Sequence, residues 1–579
     1  MTRKAPSTIV LKFGSSVLRT EGSLPVAVAE IYRHYRSGEH VIAVVSAFEG
    51  VTDSLLTRVP SMTPDGATLA ALLSTGEIAS AAQLTFSLQA AGIPAQFADP
   101  RELELTATGD RANATLSRLS FDKLHARLAE TSVLVVPGFF AAHEAGGLAL
   151  LGRGGSDLTA LFIASELRSR CVLLKDVDGL YESDPAEARG SGATQSRPAP
   201  RRFALAEYRT AEIVAGRLVQ PKSIRFARER ALAVDVTSVG SSLYTRIGEG
   251  PDVHGPTAPT RRIRVALLGL GTVGRGVLEY LAAFSERFEV VAALVRAPEK
   301  HENDRATESI LTKATDEVFA RDPEIIVEAL PGVDPARSCV GRALRSGLAV
   351  VTANKALLAA EWQHLSSYLT GPRRRLRYTA AVGASVPMLE KVERLTLATR
   401  IVRLRGVLNG STNFVLDRCA AGDVFADAVL KAQAEGFAEA DPAEDLSGRD
   451  SDRKLWILGQ IAFGGTAVCE SLAGIDENSA HARSPGSRVR LMAEAERTAT
   501  GFKYRIGLVA LPPDDYLAGT GGADNRLEIT VADGTVHRLQ GIGAGRVPTA
   551  TAVFADVLDH ARVIETAELS GSVPVAAAG

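Results

Sequence analysis

The sequence contains few cysteines and no long apolar segment. Its 579 residues include only 4 cysteines, which lie far apart and form no Cys-x-x-Cys pair. They are Cys171, Cys339, Cys419 and Cys469. We predict that all of them are small buried apolar residues in a reducing cytoplasm, without a disulfide framework. The longest apolar runs, such as Val41–Val45 and Val265–Leu268, have the length of strands and are far too short to span a membrane.

The sequence also lacks an excess of charge of either sign. It has 65 Lys and Arg residues, 67 Asp and Glu residues and a formal net charge of −2. This balance argues against a nucleic-acid-binding protein or a polybasic membrane anchor, because both are typically strongly basic. The N-terminal stretch MTRKAPSTIVLKFG enters a strand pattern without the apolar region of a signal peptide. We therefore expect a cytoplasmic protein that acts on small molecules and binds neither nucleic acid nor a membrane.

The order of apolar runs and amphipathic segments predicts more than one folding unit. At roughly 150 residues for each unit, the length of the chain suggests about three or four. Short apolar runs alternate with helix-length segments over 8–240 and again over 263–360, which is the rhythm of βαβ units. Residues 247–262 are rich in Gly, Pro and Thr and predict a linker, whereas strands and helices mix after about 395.

A glycine-rich turn follows the predicted strand Arg264–Leu268 and precedes a predicted helix. The turn is Gly269-Leu270-Gly271-Thr272-Val273-Gly274. The first glycine permits a tight turn, the second lets the backbone approach a pyrophosphate, and the third allows close packing of helix on strand. Such turns also occur as plain connectors. The strand before this one and the helix after it favour a dinucleotide-binding fold.

Two cationic residues stand where predicted strands of this fold end. Arg296 ends the second strand, where NAD-selective folds commonly place an acid, and it therefore favours NADP(H); an exposed surface arginine is the alternative. The strand over 347–352 ends in Thr-Ala-Asn-Lys, with the lysine at Lys355. Ligands bind at the carboxyl ends of parallel strands, which makes Lys355 a candidate functional residue. A surface lysine at a helix start is the alternative here.

The densest group of charged residues lies within 435–463, before an apolar helix. It comprises Glu439, Asp441, Glu444, Asp445, Asp450, Asp452 and Lys454. A run of this kind is usually a solvated surface. Asp450 and Lys454, however, are four residues apart and share one face of a helix. Because the helix Leu455–Phe463 must be buried, we expect Lys454 at the edge of a cleft, where a lysine can transfer a proton.

From residue 263 to about 560 the chain resembles homoserine dehydrogenases. The shared motifs are GLGTVGRGV, VVTANKALLA, YTAAVGASVP (378–387), GVLNGSTNF (406–414), AQAEGFAEADPAEDLSGRD and GIGAGRVPTATAV (541–553). The resemblance implies NADP-linked interconversion of aspartate 4-semialdehyde and homoserine, with NAD(H) as a possible substitute. It also implies a homodimer or higher homo-oligomer, because the dehydrogenase domain of this family dimerises through its sheet.

The resemblance assigns roles to individual residues. Lysines at the positions of Lys355 and Lys454 handle the alcohol proton. The residues implied to bind the amino and hydroxyl groups of the substrate, or to lie beside them, are Glu439, Asp445, Asp450 and Gly383. The residues implied to bind the cofactor, besides the glycine turn and Arg296, are Thr352, Asn354 and Gly545. The family has a Na⁺ or K⁺ site of backbone carbonyls, here those of Val382 and Ala384, although Thr379 replaces the acid that is often nearby.

The first 250 residues carry a second set of motifs. They are STIVLKFGSSVL (7–18), VIAVVSAFEGVTDSLL (41–56), LLSTGEIASAAQL (72–84), GRGGSD (152–157) and KDVDGLYESDP (175–185). Small residues at strand ends leave backbone N–H groups open to phosphate, although each motif alone is also typical of a plain connector. Together and in this order they resemble the catalytic domain of aspartate kinases, which has the amino-acid-kinase fold, over 7–239.

This second resemblance implies ATP-dependent phosphorylation of aspartate with Mg²⁺. Lys12 would stabilise charge on the transferred phosphoryl group, and Asp157 would organise that lysine. The residues implied to hold aspartate are Thr52, Glu77 and Arg153. The residues implied to surround ATP are Lys175, Asp176, Tyr181 and Lys222. Two positions depart from the family pattern: Ser15 replaces a second glycine and is expected to crowd the phosphate loop, and Ala186 replaces a common arginine.

The implied fold class is α/β, an amino-acid-kinase-like domain fused to a Rossmann-type NADP-binding domain with an α+β substrate and dimerisation domain. The predicted boundaries are 1–246 for the kinase-like domain, 247–262 for the linker, 263–395 for the NADP-binding domain (completed by about 540–562), 396–539 for the substrate domain and 563–579 for a flexible tail. Only 23 residues, 240–262, separate the two halves, too few for the usual regulatory ACT domains. We therefore expect no feedback inhibition by lysine or threonine through such a domain.

Three interpretations of the whole chain stay open at this point. The favoured one is a bifunctional aspartate kinase and homoserine dehydrogenase. In the second, only the dehydrogenase is active and the first half is a pseudokinase that binds a ligand or stabilises an oligomer. In the third, both folds form a non-catalytic nucleotide sensor, which the two lysines and the acid cluster argue against. A different acceptor for the kinase, such as glutamate, is a weaker alternative.

Overall fold

The computed structural model of the protein describes residues 7–59, 65–185, 200–258, 261–301, 308–369, 374–438, 441–480 and 486–570. These residues form two compact units. The first contains 7–90, 94–261 and 561–570, and the second contains 91–93 and 262–560. No helix in these ranges is long and apolar enough to cross a membrane.

The strand at the start of the chain forms the centre of a large sheet in the first unit. The strands of this unit are β1 (Thr8–Phe13), β2 (His40–Val45), β3 (Ala95–Phe97), β4 (Thr106–Thr108), β5 (Thr115–Arg118), β6 (Val133–Pro137), β7 (Phe140–His143), β8 (Leu148–Leu150), β9 (Arg170–Lys175), β10 (Arg202–Glu207), β11 (Val234–Ser238), β12 (Thr245–Gly248) and β13 (Val253–Gly255). Nine described strands pair in the order β13-β10-β12-β11-β9-β1-β2-β6-β3. β1 is parallel to both β2 and β9, so that their carboxyl ends meet at one edge.

Helices cover this sheet, and a small sheet of order β5-β4-β7-β8 lies beside it. The helices are α1 (Leu24–Arg36), α2 (Val51–Leu56), α3 (Gly66–Ala90), α4 (Phe121–Glu130), α5 (Gly155–Leu167), α6 (Tyr208–Val214) and α7 (Pro221–Glu229). The core packs apolar residues of the central strands, such as Val10 and Ile42, against α5 residues such as Leu161 and Ile163. Strands covered on both faces are continuous apolar runs, which is why their sequence signal is strong.

The linker predicted at 247–262 is wrong in its first half. Residues of this stretch complete β12 and form β13, and both strands belong to the nine-stranded sheet. The buried guanidinium of Arg202 holds this edge of the sheet by donating to the carbonyl oxygens of Tyr244 and Pro256. Pairing between distant strands determines this edge, and the Gly and Pro content of the segment does not show it.

The glycine-rich turn of the second unit follows the central strand of a parallel sheet. The strands of this sheet are β14 (Ile263–Leu268), β15 (Phe288–Leu294), β16 (Leu311–Thr312), β17 (Ile325–Glu328), β18 (Ala349–Thr352) and β19 (Leu376–Arg377). They pair in the order β16-β15-β14-β17-β18-β19, all in parallel. The strand order reverses between β14 and β17, which is where open α/β sheets bind their ligands.

The mixed pattern after residue 395 forms a second, largely antiparallel sheet. Its strands are β20 (Ile401–Val407), β21 (Thr466–Leu472), β22 (Arg488–Arg497), β23 (Gly501–Leu511), β24 (Asp524–Val531) and β25 (Val536–Ile542), in the order β21-β23-β22-β20-β24-β25. The described helices of the unit are α8 (Thr272–Ala283), α9 (Thr315–Ala320), α10 (Ala336–Arg345), α11 (Lys355–Leu365), α12 (Met388–Ala398), α13 (Gly410–Ala420), α14 (Phe425–Ala434), α15 (Ala443–Leu446), α16 (Arg449–Ala462), α17 (Glu477–Ala480) and the part of α18 (Arg546–Leu569) up to residue 560.

One hydrophobic core continues from the parallel sheet into the second sheet. It includes Ala266 of β14, Leu358 of α11, Leu404 of β20 and Leu458 of α16. The boundary predicted at 395 therefore separates two sheets that share a core. This continuity holds α11 and α16 against each other, and both helices carry residues predicted to act on the substrate.

The C-terminal helix and one cysteine differ from the sequence-based predictions. α18 continues to Leu569, so the prediction of a flexible tail is wrong for 563–569, and the remaining tail from 571 lies outside the described residues. α18 packs on α8, where the hydroxyl groups of Tyr280 and Thr551 lie 2.7 Å apart. Cys469 is exposed on β21, whereas the other three cysteines are buried as predicted.

Candidate functional site

The turn between β14 and α8 has the geometry that a dinucleotide needs. Gly269 has a φ of +102°, and a Cβ added there would lie 2.8 Å from the carbonyl oxygen of Ala329. A Cβ added at Gly274 would lie only 2.0 Å from the carbonyl oxygen of Gly269. At Gly271 an added Cβ would meet no heavy atom within 4 Å. Packing thus requires two of the glycines, and the third leaves the outer face of the turn open to a ligand.

Other residues predicted to bind the cofactor lie around this turn. Thr272 and Val273 form the N-terminus of α8, where the helix dipole favours an anion such as pyrophosphate. Arg296 is exposed two residues beyond the end of β15. Gly545, with a φ of +125°, is the last residue before α18.

The side chains of Thr352 and Asn354 are hydrogen-bonded within the protein. The Thr352 hydroxyl donates to Oε2 of Glu328 at 2.5 Å. Asn354 caps α11 by accepting a hydrogen bond from the backbone N–H of Leu357 at 3.0 Å, and it donates to the carbonyl oxygen of Gly332 at 2.6 Å. These side chains therefore position α11, and a contact with the cofactor would come from their backbone groups.

Asp450 joins the two lysines that were predicted from different motifs. Nζ of Lys355, at the start of α11, lies 2.8 Å from Oδ1 of Asp450. Nζ of Lys454 lies 2.8 Å from Oδ2 and also donates to the carbonyl oxygen of Leu408 at 2.7 Å. Lys454 is buried, whereas the side chain of Lys355 is 35% exposed. The charged run at 435–463 is therefore partly a buried site and not only a solvated surface.

The electrostatics of this cluster keep Lys355 protonated. Burial raises the pKa of Asp450, but Lys454 and Lys355 lower it by more, so that the pKa is well below its usual range. Asp450 in turn raises the pKa of Lys355 by more than burial lowers it. At neutral pH Lys355 is therefore protonated, and its partial exposure lets it exchange protons with water. Such a group can protonate an oxygen atom that gains negative charge.

A second carboxylate, Asp445, lies beside Asp450. Nδ2 of Asn409 donates to both carboxylates at 2.8 Å, and the Ser411 hydroxyl donates to Asp445 at 2.6 Å. Neither Asn409 nor Ser411 was predicted as a site residue, although their motif was noticed. Two polar residues directly after a buried strand are the signal that would have identified them. Glu439, the other predicted acid, lies outside the described residues.

The turn predicted as a cation site has an unusual backbone. Gly383 and Ala384 have φ values of +82° and +48°, which curls the chain tightly. Thr379, the position where the family often has an acid, donates from its backbone N–H and its hydroxyl to Oδ2 of Asp556 at 3.0 and 2.7 Å. Asp556 is completely buried on α18. Tertiary packing thus supplies a carboxylate that the local sequence lacks, and the motif alone did not predict it.

The first unit places three charged side chains at the carboxyl ends of β1 and β9. Nζ of Lys12 lies 2.8 Å from Oδ1 of Asp157, and Nζ of Lys175 lies 3.0 Å from Oδ2. All three side chains are buried. Burial raises the pKa of Asp157, but the two lysines lower it by more, to about 2. The cluster therefore keeps a carboxylate between two lysines at neutral pH and offers an excess of positive charge to an anion.

Glu77 on α3 is a buried carboxyl group of the same unit. It is 3% exposed, and its Oε2 has no hydrogen-bond partner among the described residues. Burial raises its pKa to about 8, because the Ala47 backbone N–H and Lys12 offset the burial only in part. A buried carboxyl oxygen without a partner is suited to an ammonium group of a ligand.

The remaining predicted kinase residues lie in loops or at the start of a helix. Arg153 and Asp176 are exposed, and Thr52 is half-buried at the start of α2. The Tyr181 hydroxyl donates to Oδ1 of Asp178 at 2.6 Å.

Lys222, predicted to contact ATP, is hydrogen-bonded within the protein. Its Nζ donates to Oδ1 of Asn113 at 2.8 Å and to the carbonyl oxygens of Leu151 and Ala114 at 3.0 and 3.3 Å. An ammonium group has three hydrogen atoms to donate, and these three bonds use them. The lysine therefore ties the start of α7 to two loops of the unit.

The serine that replaces a family glycine points away from the buried lysines of the site. A Cβ added at Gly14 would lie 2.9 Å from Nζ of Lys12 and would displace the end of this lysine. Ser15, in contrast, is exposed. Ala186, the other departure from the family pattern, lies outside the described residues.

The two sites define two classes of enzyme. An open glycine turn at the strand-order reversal, with a protonated lysine shortly after another strand of the same sheet, suits a nicotinamide-dependent dehydrogenase. In the first unit, the buried lysines Lys12 and Lys175 around Asp157 suit phosphoryl transfer. Glu77, whose Oε2 has no hydrogen-bond partner among the described residues, suits an acceptor that carries an ammonium group. No group of three or more His, Cys, Asp or Glu side chains in the described ranges could hold a metal ion by itself.

Comparisons with known proteins give the families. Residues 387–558 match the family model described as homoserine dehydrogenase, and residues 269–378 match the one described as homoserine dehydrogenase, NAD binding domain. Residues 7–190 match the amino acid kinase family. The homoserine dehydrogenase of Neisseria gonorrhoeae is 31% identical over 328 residues, which covers 54% of this chain and 75% of the relative. That of Pseudomonas aeruginosa is 33% identical over 334 residues, with the same coverage.

Solved structures of homoserine dehydrogenases also resemble this chain. The enzyme from Thiobacillus denitrificans is 32% identical with a TM-score of 0.49, and the match covers 55% of this chain and 77% of that one. A hyperthermophilic archaeal enzyme in complex with NADPH is 26% identical with a TM-score of 0.46, and the match covers 53% and 98%.

The chain belongs to the homoserine dehydrogenase family, and an amino acid kinase family domain precedes its dehydrogenase domains. This architecture supports a kinase and a dehydrogenase activity, and it fits the interpretation favoured from the sequence, a bifunctional aspartate kinase and homoserine dehydrogenase. The predicted α/β fold class is also confirmed, as is the binding of a nicotinamide dinucleotide by the second unit.

Proposed function

We propose that the second unit interconverts aspartate 4-semialdehyde and homoserine with NADP(H). The observation that carries this proposal is the pair of lysines on Asp450, beside Asp445 and next to an open dinucleotide turn. An amino-acid substrate carries an ammonium group, which Asp445 and Asp450 would hold as carboxylates. Its aldehyde oxygen would then lie near Lys355, the protonated and partly exposed lysine.

When bound, NADP(H) would supply the hydride for the reduction. Lys355 would give a proton to the aldehyde oxygen as this oxygen gains negative charge. Lys454 keeps Asp450 ionised and oriented, because it holds the carboxylate with one hydrogen bond and the Leu408 carbonyl with another. In the oxidation the same groups act in reverse, and the alcohol proton returns to Lys355.

A monovalent cation, Na⁺ or K⁺, fits the turn of 382–384 in this proposal. The carbonyl oxygens of Val382 and Ala384 accept no backbone hydrogen bond within the described ranges, whereas that of Gly383 accepts one from Val386. The positive φ values at Gly383 and Ala384 bend the backbone around these oxygens. Carbonyl oxygens are suitable ligands for a hard cation, which would stiffen the turn next to the substrate.

The preference for NADP(H) is expected to depend on Arg296. Replacing Arg296 with serine removes a cationic donor to the 2′-phosphate, a loss of about 1.5–3 kcal/mol or roughly 10- to 100-fold in kcat/KM for NADPH. The rate with NADH, which lacks this phosphate, should change by less than about 3-fold. Oxidation of each cofactor with aspartate 4-semialdehyde measures both values. An equal loss with NADPH and NADH would assign the preference to another residue.

For the first unit we propose ATP-dependent phosphorylation of L-aspartate on its side-chain carboxylate. Two buried lysines, Lys12 and Lys175, would face the negative charge of the transferred phosphoryl group, with Asp157 fixing both. Glu77 would hold the ammonium group of the amino acid, which is the observation that favours an amino-acid acceptor. Mg²⁺ would enter with the nucleotide. Glutamate is the alternative acceptor, and a comparison of ADP formation with the two amino acids distinguishes them.

Aspartate binding is expected to release a proton, because a bound ammonium group would convert neutral Glu77 into a carboxylate. The pKa of Glu77 without ligand is about 8. The carboxyl group is therefore mostly protonated at about pH 6.5, where binding should release about one proton. The affinity for aspartate should rise with pH up to about 8 and then level off. Calorimetry in buffers with different ionisation enthalpies counts the released protons.

The matched control is Glu77→Gln, which keeps the shape of the side chain but cannot ionise. It should lose the proton release and bind aspartate roughly 10- to 100-fold more weakly. Between pH 4.5 and about 8, Glu77 binds more protons in the folded protein than in the unfolded chain. The free energy of unfolding of the wild type therefore falls as the pH rises through this window. The variant should thus gain Tm relative to the wild type towards pH 8. Unchanged proton release in the variant would contradict the assigned role.

A further inference from the structure

Glu328 is a completely buried carboxyl group at the point where the strand order of the parallel sheet reverses. It is the last residue of β17, in register between Leu268 of β14 and Thr352 of β18, and its exposure is 0%. Among the described residues it accepts hydrogen bonds from the Thr352 hydroxyl at 2.5 Å, the Leu330 backbone N–H at 2.7 Å and the Asn354 amide at 3.4 Å. All three donors are neutral. Burying a carboxyl group among neutral donors costs stability, which calls for a functional reason.

Through Leu330, Glu328 fixes the loop that packs against the glycine-rich turn. This loop follows β17 directly, and the carbonyl oxygen of its first residue, Ala329, lies 2.8 Å from the position of a Cβ at Gly269. The backbone N–H of Ala329 also donates to the carbonyl oxygen of Leu268 at 2.9 Å. The position of the turn that holds the cofactor therefore depends on this loop.

Through Thr352, Glu328 also fixes the start of α11. The Thr352 hydroxyl donates to Glu328 and accepts a hydrogen bond from the backbone N–H of Asn354 at 2.9 Å. The side chain of Asn354 caps α11 and donates to Gly332 in the same loop. Lys355 is the next residue, and its Nζ meets Asp450 at 2.8 Å. Glu328 thus contacts Asn354, the cap of the helix that begins with Lys355, both directly and through Thr352.

We propose that Glu328 is a positioning residue of the dehydrogenase, which holds the cofactor-binding turn and Lys355 in one fixed geometry. Hydride and proton must reach the two ends of the same carbonyl group, and a displacement of about 1 Å can lower the rate roughly 100-fold. Glu328 is buried and acts through Thr352, Asn354 and the 329–332 loop. The proposal depends on the proposed function for the role of Lys355.

The test uses variants that each change the hydrogen bonding of one residue and nearly keep the shape of its side chain. Thr352→Val removes the hydroxyl group, and Glu328→Gln replaces one of the two carboxyl oxygens that accept these hydrogen bonds with an amide nitrogen. Each should lower kcat roughly 10- to 100-fold and change the KM for NADPH and aldehyde by less than about 3-fold. Thr352→Ser, which retains the hydroxyl, should recover most of the rate lost in Thr352→Val. The double variant should be little worse than either single variant, because both break the same path.

Tyr280→Phe is the matched control, because it removes a buried hydrogen bond between α8 and α18 in the same unit. It should lower Tm without lowering kcat. A second readout, tryptophan emission, needs no substrate. The chain has only 2 tryptophans, Trp362 on α11 and Trp456 on α16, and their ring centroids lie 5.6 Å apart. Their fluorescence and near-UV circular dichroism should change in Thr352→Val and Glu328→Gln and stay unchanged in Tyr280→Phe.

Two results would overturn the proposal. One is a kcat of Thr352→Val and Glu328→Gln within about 3-fold of the wild type, which would leave Glu328 a purely structural role. The other is an unchanged tryptophan signal in both variants, which would show that α11 has not moved. A wild-type protein that fails to reduce aspartate 4-semialdehyde would contradict the proposed function instead, and the tryptophan signal would still decide the positioning role.

Discussion

Replacing Lys355 with methionine is expected to lower kcat of the dehydrogenase about 10²- to 10⁴-fold, the usual contribution of a general acid. The variant should still fold, because Asp450 keeps its ion pair with Lys454 and its hydrogen bond from Asn409. NADPH should still bind, since the glycine turn and Arg296 are untouched. The rate of NADPH oxidation with aspartate 4-semialdehyde and the quenching of tryptophan emission by NADPH measure the two effects separately.

The control for this experiment is Lys431→Met. Lys431 forms an ion pair of the same length, 2.8 Å from Asp423, but its side chain is 46% exposed on α14. Such an exposed pair contributes about 0–1 kcal/mol to stability, and its loss should leave kcat unchanged. If Lys355→Met retained kcat within about 3-fold of the wild type, the proton would have to come from another group, for which Lys454 is the nearest candidate.

Replacing Lys12 with methionine is expected to lower the kinase rate about 10²- to 10³-fold, because a preorganised charge on the transferred phosphoryl group is lost. Asp157 keeps Lys175 as its partner at 3.0 Å, so the variant should not leave a buried charge unpaired. ADP formation that depends on aspartate measures the rate. The dehydrogenase activity of the same chain serves as an internal measure of folding and concentration.

This experiment also decides between an active kinase and a pseudokinase. A wild-type protein that reduces the aldehyde but forms no ADP with aspartate would favour the pseudokinase. Equal ADP formation by the wild type and Lys12→Met would show that a different group stabilises the phosphoryl charge. Lys123→Met, whose side chain is 51% exposed and paired with Glu104, controls for a general effect of losing a lysine in this unit.

Signals that were confined to a few neighbouring residues were informative. The turn Gly269–Gly274 was recognisable because its glycine spacing and the strand and helix around it lie within one short stretch of sequence. The i, i+4 spacing of Asp450 and Lys454 placed both on one helix face, as the helix geometry of α16 requires. The resemblance of ordered motifs to two families was confirmed by the comparisons, because several motifs in sequence are far more specific than one.

Signals that depended on distant partners were not informative. The strands β12 and β13 were taken for a linker, since their pairing with β10 and β11 is not visible in their composition. Thr352 and Asn354 were assigned to the cofactor, whereas the Thr352 side chain donates to Glu328 and that of Asn354 caps α11 and donates to Gly332. Asn409 and Ser411 were missed because only the folded chain brings them to Asp445 and Asp450.

The amino-acid sequence thus defined the two folds, the open dinucleotide turn and the residue types available for chemistry, because these follow from local sterics and from the period of apolar residues. Tertiary packing determined which charges are buried together. It brought Lys355 to Asp450, Lys12 to Asp157 and Asp556 to Thr379 across long stretches of chain. Whether a carboxyl group is solvated, paired or left without a partner, as at Glu77, sets its pKa and its use, and the environment that decides this comes from residues far away in the sequence.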